Sequence, residues 1–398
     1  MALTRRAHWA AAVAATALLT GTIGSRSTGT QVLFSALPQR VVAPADNPTT
    51  PEKVALGRAL FWDPILSGNK DVACASCHHP DFGYAEDLAT SIGVDGVGLG
   101  ATRAPRPAST IPVVKRNSQT VLNTAFNGIG QAGHYEPASA PMFWDLRVKS
   151  LEAQAIEPIS ALEEMRGAGF ERSQILTQVV ARLSAIAEYR VAFTRAFGAP
   201  SAVNATNLGR ALASFERSLV ATNSPFDRYM RGDTTAMTPT QIRGMGQFEQ
   251  SGCANCHNGP MFSDYQPHVL AVPDSPRIPA SDAGMNGSYA FRTPSLRNLV
   301  YTAPYMHNGV FRTLDQVVAF YNNVQGGRGG AGRRGGRGGG QLNPLVDRSQ
   351  LDPLLRRVNV RGGRQDLTEF LMALSDDGFD RTIPNHVPSG LPPGGAIH

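Results

Sequence analysis

The sequence is poor in cysteine, with only four in 398 residues. It is also poor in alternating apolar–polar runs, in lysine-rich stripes and in apolar stretches long enough to span a bilayer. Each shortage excludes something. Scarce alternation argues against a sheet-based core. A net charge of only +6 with no basic stripe argues against nucleic-acid binding and favours an acidic protein partner or a membrane surface. The longest apolar run, residues 9–23, is short for a transmembrane span. No acidic EF-hand-like loop is present. A disulfide framework would need spare thiols, and none are spare. All four fall in two pentapeptides, Cys74-Ala75-Ser76-Cys77-His78 and Cys253-Ala254-Asn255-Cys256-His257.

Both pentapeptides read C-x-x-C-H, the attachment signal of a c-type haem. Cys74 and Cys77, and likewise Cys253 and Cys256, are placed to bond the two haem vinyl groups. His78 and His257 then become the proximal iron ligands. The competing readings are a zinc site, a redox dithiol or two disulfides. A redox C-x-x-C needs no adjacent histidine, and zinc fingers space their histidines further away.

The composition is globular, 42% hydrophobic and 17% charged, and the length suits two domains. Arg5, Arg6 and His8 precede the apolar run, and small residues follow it up to Ser27. This pattern predicts a signal peptide over residues 1–27 and a periplasmic protein, with an uncleaved N-terminal anchor as the competing reading. Export agrees with haem c, which is installed outside the cytoplasm. Residues 28–50 read as a surface lead-in. Residues 325–341 are nearly all Gly and Arg, which predicts a mobile loop rather than an RGG-type nucleic-acid segment.

Apolar spacing predicts helices over residues 51–61, 173–197, 207–220, 239–250, 314–322 and 365–374. A shorter helix over 151–165 is expected to break at Pro158, and residues 79–133 to form loops. The fold class is mainly α, with long loops over two haem domains. The expected boundaries are 28–225 for the first, 226–375 for the second, and a tail over 376–398 packing back on the first.

Further motifs follow the first haem signal: Phe143-Trp144-Asp145-x-Arg147, Leu151-Glu152-x-Gln154, Pro158, Glu164-Met165, Thr293-Pro294-Ser295-Leu296-Arg297-Asn298 and Ala303-Pro304-Tyr305-Met306-His307-Asn308-Gly309. With these, residues 55–375 resemble the bacterial di-haem cytochrome c peroxidases and their relatives of the MauG type. The resemblance implies two cytochrome c-like domains, one haem c each, with a calcium ion between them. The first haem would cleave hydrogen peroxide and the second would relay electrons.

The same resemblance assigns roles. Gln154 and Glu164 match the family's peroxide-cleaving pair, with Glu163 adjacent to the second. Trp144 occupies the inter-haem position. Reductively activated members place a displaceable histidine after Ser-Ile-Gly; here Ser91-Ile92-Gly93 is followed by Val94, which cannot ligate iron. The sixth position of the first haem is therefore expected to be open, with His134 or His79 as the competing ligands. Tyr321, fourteen residues beyond His307, matches the sixth ligand of the second haem, and Met306 competes for that place. Asn117, Thr302 and Pro304 match the calcium positions. The leading expectation is a peroxidase fed by a small donor protein, a cytochrome c or a cupredoxin. The alternatives are a MauG-like enzyme that oxidises side chains of a partner protein, and a plain electron-transfer cytochrome.

Overall fold

The computed structural model describes residues 33–198, 202–325, 342–360 and 362–397. The signal-peptide expectation and nearly all of the Gly/Arg tract lie outside them.

Among the described residues there are ten α-helices, most of them where the apolar periodicity places them. They are α1 Pro51–Trp62, α2 Leu151–Gln154, α3 Glu157–Ser160, α4 Ile175–Ala185, α5 Ala187–Phe197, α6 Ala205–Ser218, α7 Pro225–Met230, α8 Pro239–Gln250, α9 Leu314–Gln325 and α10 Arg364–Met372. Helices α1 and α8 start alike. Each has a threonine N-cap, Thr50 or Thr238, accepting from the N–H three residues on, and a proline at the first position. Among the described residues, sheet is limited to three two-stranded antiparallel ribbons, one of them Pro267–Val269 against Ala290–Arg292.

Two expected helices differ from prediction. Residues 173–197 are not continuous: Ile186 is extended (φ −90°, ψ 119°) between α4 and α5. The buried residues explain the break. Ile175, Val179 and Leu183 keep a spacing of four, as do Tyr189 and Phe193, but six residues separate Leu183 from Tyr189. In one straight helix that step would put Tyr189 about 120° around the axis from Leu183. Likewise, the 151–165 segment breaks upstream of Pro158, between α2 and α3. Pro158 has no N–H to offer the carbonyl of Gln154, so the ladder ends a turn early.

Two apolar cores dominate. In the first, α1 crosses α6, with Phe61 edge-on to Phe215 at 5.2 Å. In the second, α8 crosses α10, and Phe226, Phe248, Phe262 and Phe370 pack edge to face. A glycine permits each crossing. A Cβ on Gly57 would lie 2.1 Å from the Ala211 carbonyl oxygen, and one on Gly244 would lie 1.9 Å from that of Asp366. The lead-in is only partly on the surface. Phe34 is 7% exposed and stacks on Phe262 in the second core, because its ring covers apolar area that α8 leaves open. Phe379, Val387 and Ile397 lie in the first core, and Ser389 Oγ donates to Asp63 Oδ1 at 2.6 Å.

Candidate haem and peroxide site

Each C-x-x-C-H segment folds as one 3-10 turn, Cys74–Ser76 and Cys253–Asn255. In both, the histidine N–H donates to the carbonyl of the first cysteine, at 3.0 and 2.9 Å. The turn points two thiols and one imidazole in the same general direction. All four thiols are unpaired, which removes the disulfide reading. Cys74, Cys77, His78, Cys253, Cys256 and His257 all line one internal cavity of about 410 Å³.

The imidazoles are prepared alike. His78 Nδ1 lies 3.1 Å from the Tyr84 carbonyl, and His257 Nδ1 lies 2.9 Å from that of Phe262. An Nδ1–H donated to a carbonyl leaves the Nε2 lone pair for a metal. Burial pushes His78 down to about 4 and His257 down as well, so both rings are neutral, as ligation requires. Thiol pairs for covalent attachment, neutral imidazoles anchored through Nδ1 and an apolar shared cavity fit two haem c groups.

Gln154 at the end of α2 and Glu164 in the wide turn Leu162–Arg166 line this cavity with Ser91, Gly93, Pro158 and Met165. Glu163 does not line it. Burial raises Glu164 to about 7, with Arg147 opposing and Glu163 adding to the rise. The Ser91–Val94 loop, expected to carry no iron ligand, is fixed against this turn. The Val94 N–H donates to the Glu164 carbonyl at 3.0 Å, and the Val94 side chain is turned into the first core, 2% exposed. A Cβ on Gly93 would sit 2.1 Å from that same carbonyl oxygen. Neither competing histidine lines the cavity. His134 is exposed, and His79 caps the turn Pro80–Phe82 with its ring edge-on to Trp62.

Trp144 lines the cavity between elements that carry the two motifs. Its indole N–H donates to the Asn117 carbonyl at 3.0 Å, and its own carbonyl accepts from Arg292 at 2.7 Å. The indole is edge-on to His307 at 6.5 Å, and His307 stacks on Phe291 at 3.7 Å. Asn117, Thr302 and Pro304 also line the cavity. The Asn117 amide donates to the Leu88 carbonyl at 2.8 Å, which leaves its Oδ1 as a free oxygen donor. Tyr321 and Met306 both line the cavity. Burial, and then Cys256 and Cys253, raise the Tyr321 phenol, which places it within electrostatic reach of the second thiol pair.

Sequence reasoning did not single out His268, Asp264 and Asp352. His268 donates to Asp352 at 2.6 Å and to Asp264 at 3.0 Å. Burial pulls its pKa down, but Asp264, Cys256 and Asp352 outweigh this and push it to about 11. Cys256, Asp264 and His268 form the one metal-ligand-like cluster among the described residues. With His268 held as an imidazolium by two carboxylates, it is an ion triad beside the second motif, not a zinc site.

Two C-x-x-C-H turns opening on one cavity, with Gln154, Glu164 and Trp144 among its lining, fit a di-haem c-type redox enzyme. Residues 51–235 match the family model "Di-haem cytochrome c peroxidase". The chain is 37% identical over 297 residues to the methylamine utilization protein MauG of Methylorubrum extorquens, covering 73% of each chain. It is 34% identical over 371 residues to the cytochrome-c peroxidase IdrP1 of Pseudomonas sp. strain SCT, covering 84% of each. A crystal structure of a MauG-like protein associated with microbial copper homeostasis superposes with a TM-score of 0.65 at 26% identity, covering 85% of this chain and 95% of that one. The chain belongs to the di-haem cytochrome c peroxidase and MauG family, and it is a di-haem peroxidase.

Proposed function

We propose that this chain reduces hydrogen peroxide in the periplasm with electrons from a small donor protein, a cytochrome c or a cupredoxin. The observation that carries this is the convergence of Gln154, Glu164 and His78 on one cavity that Val94 does not enter. The overall reaction consumes one H2O2, two electrons and two protons and yields two H2O. Bound haem supplies the iron that takes peroxide on one side and electrons on the other.

The chain's own groups do the rest. Glu164 sits near the pKa at which a carboxyl both takes and returns a proton at neutral pH. It takes the proton of one peroxide oxygen and returns it to the leaving oxygen. The Gln154 amide orients peroxide by hydrogen bonding and cannot titrate. Trp144, fixed by its bond to Asn117, offers an oxidisable ring between the two motifs. Tyr321 would supply a hard anionic ligand to the second iron, with Met306 as the competing donor. Asn117 Oδ1 with the Thr302 and Pro304 carbonyls suits a calcium ion.

Two apolar cores support reading 28–225 and 226–375 as the two haem domains, with the 376–398 tail returning to the first. Residues 1–27 serve as the export signal. No helix among the described residues is long and apolar enough to cross a membrane.

The second reading is MauG-like oxidation of a partner protein's side chains. Two observations favour it: the inward-turned Val94 and the place of Tyr321 near the second thiol pair. Steady-state peroxide turnover with reduced cytochrome c or cupredoxin tests the first reading. Rapid donor-dependent turnover supports it. Slow turnover, with peroxide oxidising equivalents retained on the protein, supports the second.

A further inference from the structure

Glu216, on α6, lines the cavity yet belongs to none of the roles above. It is 5% exposed, and its neighbour Arg217 is 2% exposed. Arg217 Nη2 donates to Glu152 Oε1 of α2 at 2.7 Å. The same oxygen accepts from Asn47 Nδ2 at 2.9 Å, and Asn47 Oδ1 accepts from Lys53 Nζ at 3.0 Å. The Glu152 side chain is 19% exposed, so this line of polar groups reaches solvent.

The line is incompletely satisfied. Glu216 Oε2, Glu152 Oε2, Arg217 Nε and Arg217 Nη1 are buried and have no hydrogen-bond partner among the described residues. Four unmatched polar atoms in one cluster are costly unless ordered water completes them. Donors and acceptors are both represented, so a short file of waters would satisfy all four. The ionisable groups facing Glu216 are Arg217 of its own helix, Glu152 of α2 and Cys74, with Lys53 of α1 two hydrogen bonds beyond Glu152 through Asn47. Burial lifts Glu216 to about 8, with Arg217 opposing and Glu152 adding, so it holds a proton at neutral pH. At its inner end, Glu216 shares a neighbour with the acid–base site: burial, then Glu216, then Glu164 raise the Cys74 thiol to about 12.

Peroxide reduction breaks one O–O bond and takes up two donor electrons and two protons. The protons come from solvent and must cross protein to a buried cavity. We propose that Glu152, Arg217 and Glu216, with water on their unmatched atoms, form the proton conduit from solvent to the cavity beside the first C-x-x-C-H turn. This rests on the peroxidase reading given above.

The test is Glu216→Gln in the holoprotein, an isosteric change that removes the proton-holding group. Single-turnover mixing with peroxide and a pH-indicator dye reads both peroxide loss and proton uptake. Infrared difference spectroscopy reads the protonated carboxyl. Two haems and the resting spectrum should be retained, and the carboxyl band should vanish. Proton uptake and peroxide reduction should slow together by about tenfold or more. Glu216→Asp should recover part of the rate, and Glu152→Gln, outside the cavity, should slow uptake as well. Wild-type uptake and turnover in both Glu216→Gln and Glu152→Gln would overturn the conduit and leave Glu216 a structural acid. A wild-type protein that does not reduce peroxide would instead overturn the peroxidase reading, and the conduit with it.

Discussion

The backbone N–H of Val94 donates to the carbonyl of Glu164 at 3.0 Å. This bond ties the Ser91–Val94 loop to the turn that carries Glu164, the proposed acid–base carboxyl. It also directs the residue-94 side chain into the core, away from the cavity.

Gly93 makes that contact possible. A Cβ there would lie 2.1 Å from the Glu164 carbonyl oxygen and 2.2 Å from that of Glu163, and backbone cannot move aside cheaply. Gly93→Ala should cost about 1–3 kcal/mol of stability and displace Glu164. A guanidinium midpoint and a peroxide stopped-flow rate check both effects. An unchanged rate would mean that the loop does not position the carboxyl.

Glu164→Gln should slow peroxide cleavage by roughly 10² to 10⁴ with haem content unchanged. Gln154→Val should slow it less, because it removes orientation and not a proton carrier. Burial raises Glu164 to about 7, so its proton-accepting form grows as pH rises through about 7. The wild-type cleavage rate should rise across that interval, and the Glu164→Gln rate should not. A wild-type-like pH profile in the variant would move the role to another carboxyl.

Trp144→Phe keeps most of the buried ring and deletes the N–H bonded to the Asn117 carbonyl. Both haems should stay bound, while electron exchange between them slows. Freeze-quench spectra after peroxide addition follow this directly. Oxidation that stays on the first haem site is the expected result, and wild-type sharing would contradict it.

Much of this was legible in advance because it depends on local pattern. The helix start at Thr238 and the two C-x-x-C-H turns follow from short motifs. The break at Ile186 was not, since it depends on a phase slip between two buried sets, each regular by itself. Phe34 gave no sign that it would cover the second core, a contact more than two hundred residues distant in sequence. Glu216 and His268 were missed for a similar reason. Their chemistry depends on Glu152 and Asp352, which only tertiary packing brings near.

Tyr321 divides the two readings of function. A phenolate stabilises oxidised iron, so Tyr321→Met should raise the potential of the second haem and move the protein toward donor-driven turnover. Redox titration measures the shift. Wild-type protein showing the near-infrared band of His/Met ligation would assign the place to Met306 or another methionine.

The most direct test of the account is the EPR spectrum of the resting ferric protein, followed by mixing with peroxide and no reductant. With Val94 turned into the core and no histidine from its loop in the cavity, one high-spin and one low-spin haem should be seen, and peroxide should react at once. Two low-spin, doubly ligated haems that stay inert until one electron is added would contradict it.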